Sequence, residues 1–173
     1  MRLMIAVIVS AAALGVGVSA TKPTPAPFEG AWMSCETYQG GRICGYKLLV
    51  QRGSRVCGIQ RDFATNAYYQ QRFVGTARAN SVKIDKICGD PGSETDTYCA
   101  GQTSQRDVKS GWGTSINSLY DCGGRLHGAK SDYGFRCDAA NRAAGLPKVR
   151  SLKGEGPEPE DAAWLKSCAA GAE

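Results

Sequence analysis

The stretch GYKLLVQRGSRVCGI, residues 45–59, has the pattern of a β-hairpin. Two apolar runs flank Gly53-Ser54, and a two-residue turn that begins with glycine matches the twist of paired antiparallel strands. If Arg52 faces Arg55 across the turn, one face of the hairpin carries Tyr46, Leu48, Val50, Cys57 and Ile59. The other face then carries Lys47, Leu49, Gln51 and Gln60. We expect the face with Cys57 to be buried and the other to meet water, as in a half-buried antiparallel sheet.

The hairpin contains two of three copies of one pattern: a basic residue, a β-branched residue, cysteine and glycine. The copies end at Gly45, Gly58 and Gly89. The chain has eight cysteines: Cys35, Cys44, Cys57, Cys88, Cys99, Cys122, Cys137 and Cys168. An even number in an exported chain predicts four disulfides, and their pairing stays open. Metal binding and thiol catalysis are disfavoured because the sequence has no CxxC and one histidine, so we expect no metal and no cofactor.

The first twenty residues, MRLMIAVIVSAAALGVGVSA, have the anatomy of a secretory signal peptide: one basic residue, an apolar run and a small-residue cleavage site. No later apolar stretch is long enough to span a bilayer. The sequence therefore predicts a secreted or periplasmic protein. Residues 21–27, TKPTPAP, read as a proline-rich tether.

Residues 28–138 predict an all-β domain, because short apolar segments alternate with turns that contain glycine. A second hairpin is expected around residues 78–80, and a third turn at Gly123-Gly124. This rhythm is typical of a small antiparallel β-barrel or a sandwich. Residues 139–173 form a tail rich in Ala, Gly and Pro, with a short helix expected at about 159–169. We expect Trp164 and Leu165 to dock this helix and Cys168 to attach it by a disulfide.

The segment FEGAWMSC contains Gly30-Ala31-Trp32, a G-x-W pattern just before the first expected strand. Together with the meander of strands that follows, it resembles the calycin-type barrels of the lipocalin and avidin-like families. The resemblance implies a barrel with one end closed by Trp32, whose interior either encloses a small apolar ligand or is filled by its own side chains. It also implies that an arginine near the last strand, Arg125 or Arg136, packs across that ring.

The chain has 21 Lys and Arg residues against 16 Asp and Glu, a net charge of +5. Its last twenty residues are acidic, so the body is more basic still, and an anionic macromolecule is one expected partner. We predict a possible partner-binding basic turn formed by Arg52, Arg55 and Lys47. Nucleic acid is not expected, because exposed aromatic residues interleaved with the basic ones are scarce.

No pattern in the sequence identifies a catalytic residue. The first hypothesis is a non-enzymatic binding protein, either inhibitor-like or a carrier of a small ligand. One alternative is an envelope- or glycan-directed hydrolase that uses Asp121 with His127, or the loop from Asp90 to Asp96, which also has the composition of a weak calcium site. Another is a structural, envelope-associated protein. We expect His127 to be a surface turn residue, given the glycines around it.

Overall fold

The computed structural model describes residues 26–64, 66–93, 95, 97–100, 109–130 and 134–171. Its strands are β1 (Gly30–Tyr38), β2 (Gly41–Arg52), β3 (Arg55–Ala64), β4 (Ala67–Arg78), β5 (Ser81–Gly89), β6 (Thr97–Tyr98), β7 (Lys109–Ser110), β8 (Gly113–Thr114), β9 (Asn117–Asp121), β10 (Arg125–Lys130) and β11 (Leu146–Val149). Its helices are α1 (Ala139–Ala143) and α2 (Pro159–Ala169). The predicted signal peptide, residues 1–20, and most of the tether lie outside the described residues. None of the helices in the described part is long and apolar enough to cross a membrane.

Eight of these strands form a closed antiparallel barrel. The order is β4-β3-β2-β1-β11-β10-β9-β5, and β5 pairs again with β4 to complete the circle. This confirms the predicted all-β fold and resolves the choice between barrel and sandwich in favour of the barrel. The closing strand β11 lies beyond residue 138, where the sequence predicted the β domain to end. Its four residues pair with β10 on one side and with β1 on the other.

The register of the β2–β3 hairpin is the predicted one. Arg52 faces Arg55, Val50 faces Cys57, and Tyr46 faces Arg61. The assignment of the wet face was wrong, however. Leu49, which shares a face with Lys47, is 1% exposed and packs in a core with one or more residues from each of the eight barrel strands. The face predicted to meet water therefore lines the inside of the barrel.

The opposite face of the hairpin is also buried, because a second core lies on the outside of the barrel. It joins residues of β1 to β4, such as Met33, Tyr46 and Ile59, to Leu165 and Cys168 of α2. Both faces of these strands are therefore covered. Since a strand buried on two faces has little polar contrast between them, its alternation does not tell which face is inside.

All eight cysteines are paired, as predicted. The bonds are Cys35–Cys44, Cys57–Cys168, Cys88–Cys99 and Cys122–Cys137. Three of them span 9 to 15 residues, whereas Cys57–Cys168 spans 111. In the chain-entropy treatment, a bond that closes a loop of about 100 residues stabilises the fold by about 4.7 kcal/mol. The Cys57–Cys168 bond therefore has the largest expected effect of the four.

The predicted short C-terminal helix is confirmed, and polar contacts hold α2 against the barrel beside this disulfide. The carboxylate of Asp161, 6% exposed, accepts hydrogen bonds from the side chains of Arg72 and Gln70. The guanidinium of Arg72 also lies 5.6 Å from the centre of the Trp164 ring. Just before the helix, Glu155 forms an ion pair with Arg61. The acidic tail thus neutralises basic residues on the outer sheet face.

The barrel architecture with its C-terminal helix is consistent with a calycin-like fold. Trp32 is fully buried, and the neighbouring Phe28 donates its backbone N–H to Oε1 of Gln51 at 3.1 Å. The expectation that Arg125 packs across the indole is wrong, whereas the same role for Arg136 stays a prediction. Lys148 of β11 occupies that place, with Nζ 4.9 Å from the ring centre. Arg125 donates instead to the carbonyl of Gly145 at 3.0 Å.

Gly58 of the repeated pattern provides a test of the barrel packing. A Cβ at Gly58 would overlap the ring of Phe73, which faces it from β4. We expect Gly58→Ala to lower the free energy of unfolding by about 1–3 kcal/mol through overpacking. Gly128→Ala is the matched control, because its Cβ would meet only Leu119 at 4.0 Å. Urea denaturation of both variants checks this, and equal stabilities would contradict the close packing over Gly58.

The docking of α2 is tested by two neighbouring acids. Asp161→Asn removes the charge that is buried against Arg72, so we expect a loss of about 3 kcal/mol in the free energy of unfolding. Glu160→Gln is the control, since Glu160 is 70% exposed and lies 3.4 Å from the same guanidinium. Exposed pairs contribute about 0–1 kcal/mol, so this variant should unfold almost like the parent. If Glu160→Gln lowered the free energy of unfolding as much as Asp161→Asn does, the proposed docking contact between Asp161 and Arg72 would be contradicted.

Candidate functional site

A cavity of about 750 Å³ lies in the barrel and opens to solvent at one end. Its described lining includes Lys47, Gln60 and Gln71 from β2 to β4, and Ile84, Ile87 and Leu119 from β5 and β9. Trp32 and Phe28 pack in the same interior core as Ile84 and Leu119, but neither is among the described lining residues of the cavity. At the rim lie Asp62 and Tyr69, which face each other across β3 and β4, together with Asn117 and Lys130. The cavity therefore has an apolar wall, a polar wall and a polar rim.

The polar wall is a row of three side chains on adjacent strands. Lys47 faces Gln60, and Gln60 faces Gln71. The ammonium of Lys47 donates to Oε1 of Gln60 at 2.6 Å. Nε2 of Gln60 in turn donates to Gln71 and, at 3.1 Å, to the carboxylate of Asp62. The β-sheet places these groups side by side because residues opposite each other on neighbouring strands share one face.

The charge of Lys47 is not neutralised by an ion pair within the described residues. Its hydrogen-bond acceptor there is the neutral amide of Gln60, and the lysine lines the cavity. Burial lowers the pKa of Lys47 below the usual value of 10.5, and the nearby charge of Asp62 opposes this shift. Lys47 is half-buried, and lysines withdrawn from solvent are usually paired. A lysine that faces a cavity in this state is therefore a candidate binding group.

A second buried donor lies beside this row. Trp32 is opposite Lys47 in the β1–β2 register, and its indole N–H is buried with no acceptor among the described residues. Oε1 of Gln71 accepts from Gln60 and not from Trp32, so the indole N–H is a buried donor without an acceptor among the described residues. This electrostatic character favours a ligand that brings a carbonyl or carboxylate oxygen.

The three residues of the predicted basic turn are not brought together. Arg52 is at the hairpin tip and forms an ion pair with Glu29 at 2.9 Å. Arg55 turns toward α2, where its Nε donates to the carbonyl of Cys168 at 3.3 Å. Lys47 lies inside the barrel instead of near them. Binding of an anionic partner at the tip stays a prediction, and the structure gives both arginines local contacts.

The residues considered for hydrolysis also lie apart. Asp121 pairs with Leu126 and His127 with Tyr120, so their side chains leave opposite faces of the β9–β10 hairpin. Asp121 caps the turn by accepting from the N–H of Gly124 at 2.7 Å. The expectation that His127 is a surface turn residue was wrong: it is 9% exposed, on a strand, with its ring 5.3 Å from that of Phe135.

The loop from Asp90 to Asp96 is described only in part, since Glu94 and Asp96 lie outside the described residues. The carboxylate of Asp90 accepts from the backbone N–H of Gln70 at 2.9 Å. Burial raises the pKa of Asp90, and that hydrogen bond opposes the shift. Within the described part of the chain, no three His, Cys, Asp or Glu side chains form a group that could hold a metal ion.

Lys47 was predicted as part of a surface turn, and its place in the cavity was missed. One signal was available: Lys47, Gln51 and Gln60 share a face with Leu49, an apolar residue that does not suit an exposed surface. Ile84 and Leu119 were not singled out either, because they become a cavity wall only when β5 pairs with β9.

Comparison with protein-family models, with curated proteins and with solved structures found no match. The class that the geometry defines is a disulfide-rich, eight-stranded β-barrel with an internal cavity, whose calycin-like shape is compatible with binding. The function of this protein is therefore inferred from the cavity and its polar wall.

The lowered pKa of Lys47 predicts a specific dependence of stability on pH. At pH values between the pKa of Lys47 in the folded protein and 10.5, its value in the unfolded chain, the unfolded chain binds more protons. The free energy of unfolding therefore rises with pH through this window. The cost of the buried charge is fully present below the folded pKa. Lys47→Gln removes this charge, so its stability relative to the parent should be highest near neutral pH and fall as the pH approaches 10.5.

Denaturation curves at a series of pH values measure this difference. Lys83→Gln, on the exposed outer side of β5, is the matched control and should differ from the parent by a constant amount. If the difference in free energy of unfolding between Lys47→Gln and the parent were also the same at every pH, the lowered pKa of Lys47 would be contradicted.

Proposed function

We propose that this protein is an exported, non-enzymatic binding protein that carries a small molecule inside its barrel. The ligand has an apolar body and an oxygen-bearing head group. The observation that carries this proposal is a cavity lined by Lys47, whose ammonium donates to a neutral amide instead of a carboxylate. Four disulfides suit an oxidising compartment outside the cytoplasm, which supports the secreted or periplasmic location.

The size and lining of the cavity support a small ligand. Small-molecule sites are usually clefts of about 300–1,000 Å³ with mostly apolar walls and a few polar groups that fix orientation. Ile84, Ile87 and Leu119 provide the apolar contact, and Lys47 with Gln60 provides the polar one. The head group would lie against Lys47 and the body against β5 and β9.

Charge-assisted hydrogen bonds make an acidic head group a good match. An ammonium that donates to a carboxylate or sulfonate contributes about 1.5–3 kcal/mol, about twice a neutral hydrogen bond. The described rim carries both Lys130 and Asp62, so the preference for an acidic head group rests on Lys47. The tip arginines support an inhibitor-like function less well, since Arg52 and Arg55 already contact Glu29 and α2.

The probe 8-anilinonaphthalene-1-sulfonate tests this function, because it combines aromatic rings with an anionic group. We expect one molecule to bind per chain, seen as increased fluorescence and as a single adduct in native mass spectrometry. Lys47→Gln should weaken binding about tenfold, the equivalent of about 1.4 kcal/mol. Lys83→Gln should leave the affinity unchanged.

A second variant tests the location without changing charge. Gly128 lines the cavity, and a Cβ there points toward Leu119, so Gly128→Phe should fill the space and abolish binding. Melting temperatures establish that each variant folds. If the probe binds all three variants like the parent, its site lies outside the barrel and the carrier proposal is wrong.

A further inference from the structure

The amine of Lys47 has the position of a nucleophile as well as that of a binding group. It lies in a cavity that a small molecule can enter, on a rigid strand, and its acceptor is a neutral amide. An amine that forms an ion pair is held protonated, whereas Lys47 has no such partner among the described residues. Burial also favours its neutral form, because it lowers the pKa of this lysine. Neutral lysine amines attack carbonyl groups.

We propose that Lys47 forms a reversible imine with a small aldehyde that binds in the barrel. This inference rests on the proposed carrier function, because the aldehyde occupies the same cavity. The ligand class is an apolar aldehyde whose carbonyl reaches the polar wall and whose body contacts Ile84, Ile87 and Leu119. Covalent attachment would retain a ligand that non-covalent contacts alone would release more quickly.

The step balances without an oxidant or reductant. The lone pair of Nζ attacks the carbonyl carbon, a C–N bond forms, and the proton lost by nitrogen compensates for the one gained by the carbonyl oxygen. The resulting carbinolamine then loses water as its C–O bond breaks, which leaves a C=N bond. Addition of water reverses both stages and releases the aldehyde with the free amine.

The neighbours of Lys47 suit this product. Gln60 and Gln71 are neutral amides, so they accept or donate hydrogen bonds without holding the amine protonated. Asp62 is linked to Lys47 through Gln60, and its carboxylate provides a counter-charge for a protonated imine. The apolar side chains Ile84, Ile87 and Leu119 cover one side of the site.

The experiment uses the exported protein, 4-methoxybenzaldehyde as the probe and sodium cyanoborohydride, which reduces an imine to a stable secondary amine. Peptide mapping by mass spectrometry then measures the labelling rate of each lysine at neutral pH. We expect Lys47 to be labelled at least about tenfold faster than the exposed Lys83, since the cavity would hold the bound aldehyde beside its amine and raise the effective concentration there. The α-amino group also reacts, and mapping separates its peptide.

Variants and non-reactive probes complete the design. Lys47→Arg keeps the charge and should lose the fast adduct, while Lys83→Arg should retain it. The parent measurement stands on its own if Lys47→Arg does not fold. In parallel, native mass spectrometry measures binding of 4-methoxybenzoate and 4-methoxybenzyl alcohol, which cannot form an imine.

The outcomes separate the two proposals. If Lys47 is labelled fast and the other lysines are not, the imine is supported. Equal labelling of Lys47 and Lys83, with benzoate bound, overturns the imine and leaves the carrier function standing. Equal labelling without binding of either non-reactive probe overturns the imine and counts against the carrier function. Fast labelling of Lys47 without non-covalent binding supports a reactive lysine and contradicts a carrier that holds its ligand by contacts alone.

Discussion

Closure of the barrel is the constraint on which the rest of the structure depends. Strands β1 and β10 are separated by β11, which has only four residues and hydrogen-bonds to both. Without it, two edges would present unpaired backbone groups, and buried N–H and C=O groups without partners are costly. Closure also defines an inside. Lys47, Gln60 and Gln71 become a cavity wall only because the sheet returns to its first strand.

The segment after β11 gives the barrel a second core. It leads to α2, which packs on the outer face of β2 and β3 and is attached to β3 by Cys57–Cys168. The acids Glu155 and Asp161 meet Arg61 and Arg72 there, which explains why the basic body is followed by an acidic tail. The acidic tail therefore pairs with the basic body within the molecule. With these internal ion pairs known, the uneven charge of the sequence supports an anionic partner less strongly.

The interior combines two requirements that usually oppose each other. Phe28, Trp32 and Phe73 fill one part tightly, as the overlap expected at Gly58 shows, and this packing stabilises the barrel. The other part keeps a cavity and Lys47, which has no ion pair within the described residues, and both features lower stability. Four disulfides and the docked helix compensate for that loss. A site that costs stability and is built from opposed residues on three strands is the expected location of function.

Local rules in the sequence determined the hairpins, the oxidised cysteines and the short C-terminal helix. The turn at Gly53-Ser54 sets the β2–β3 register, and Pro159 with Gly171 limits α2. Tertiary structure alone decided which cysteines pair, which face of β2 is inside, and that Leu146–Val149 is a strand. Pairing depends on distances between distant segments. Lys47 and Tyr46 alternate on a strand covered on both sides, so only closure of the barrel and docking of α2 assign Lys47 to the cavity.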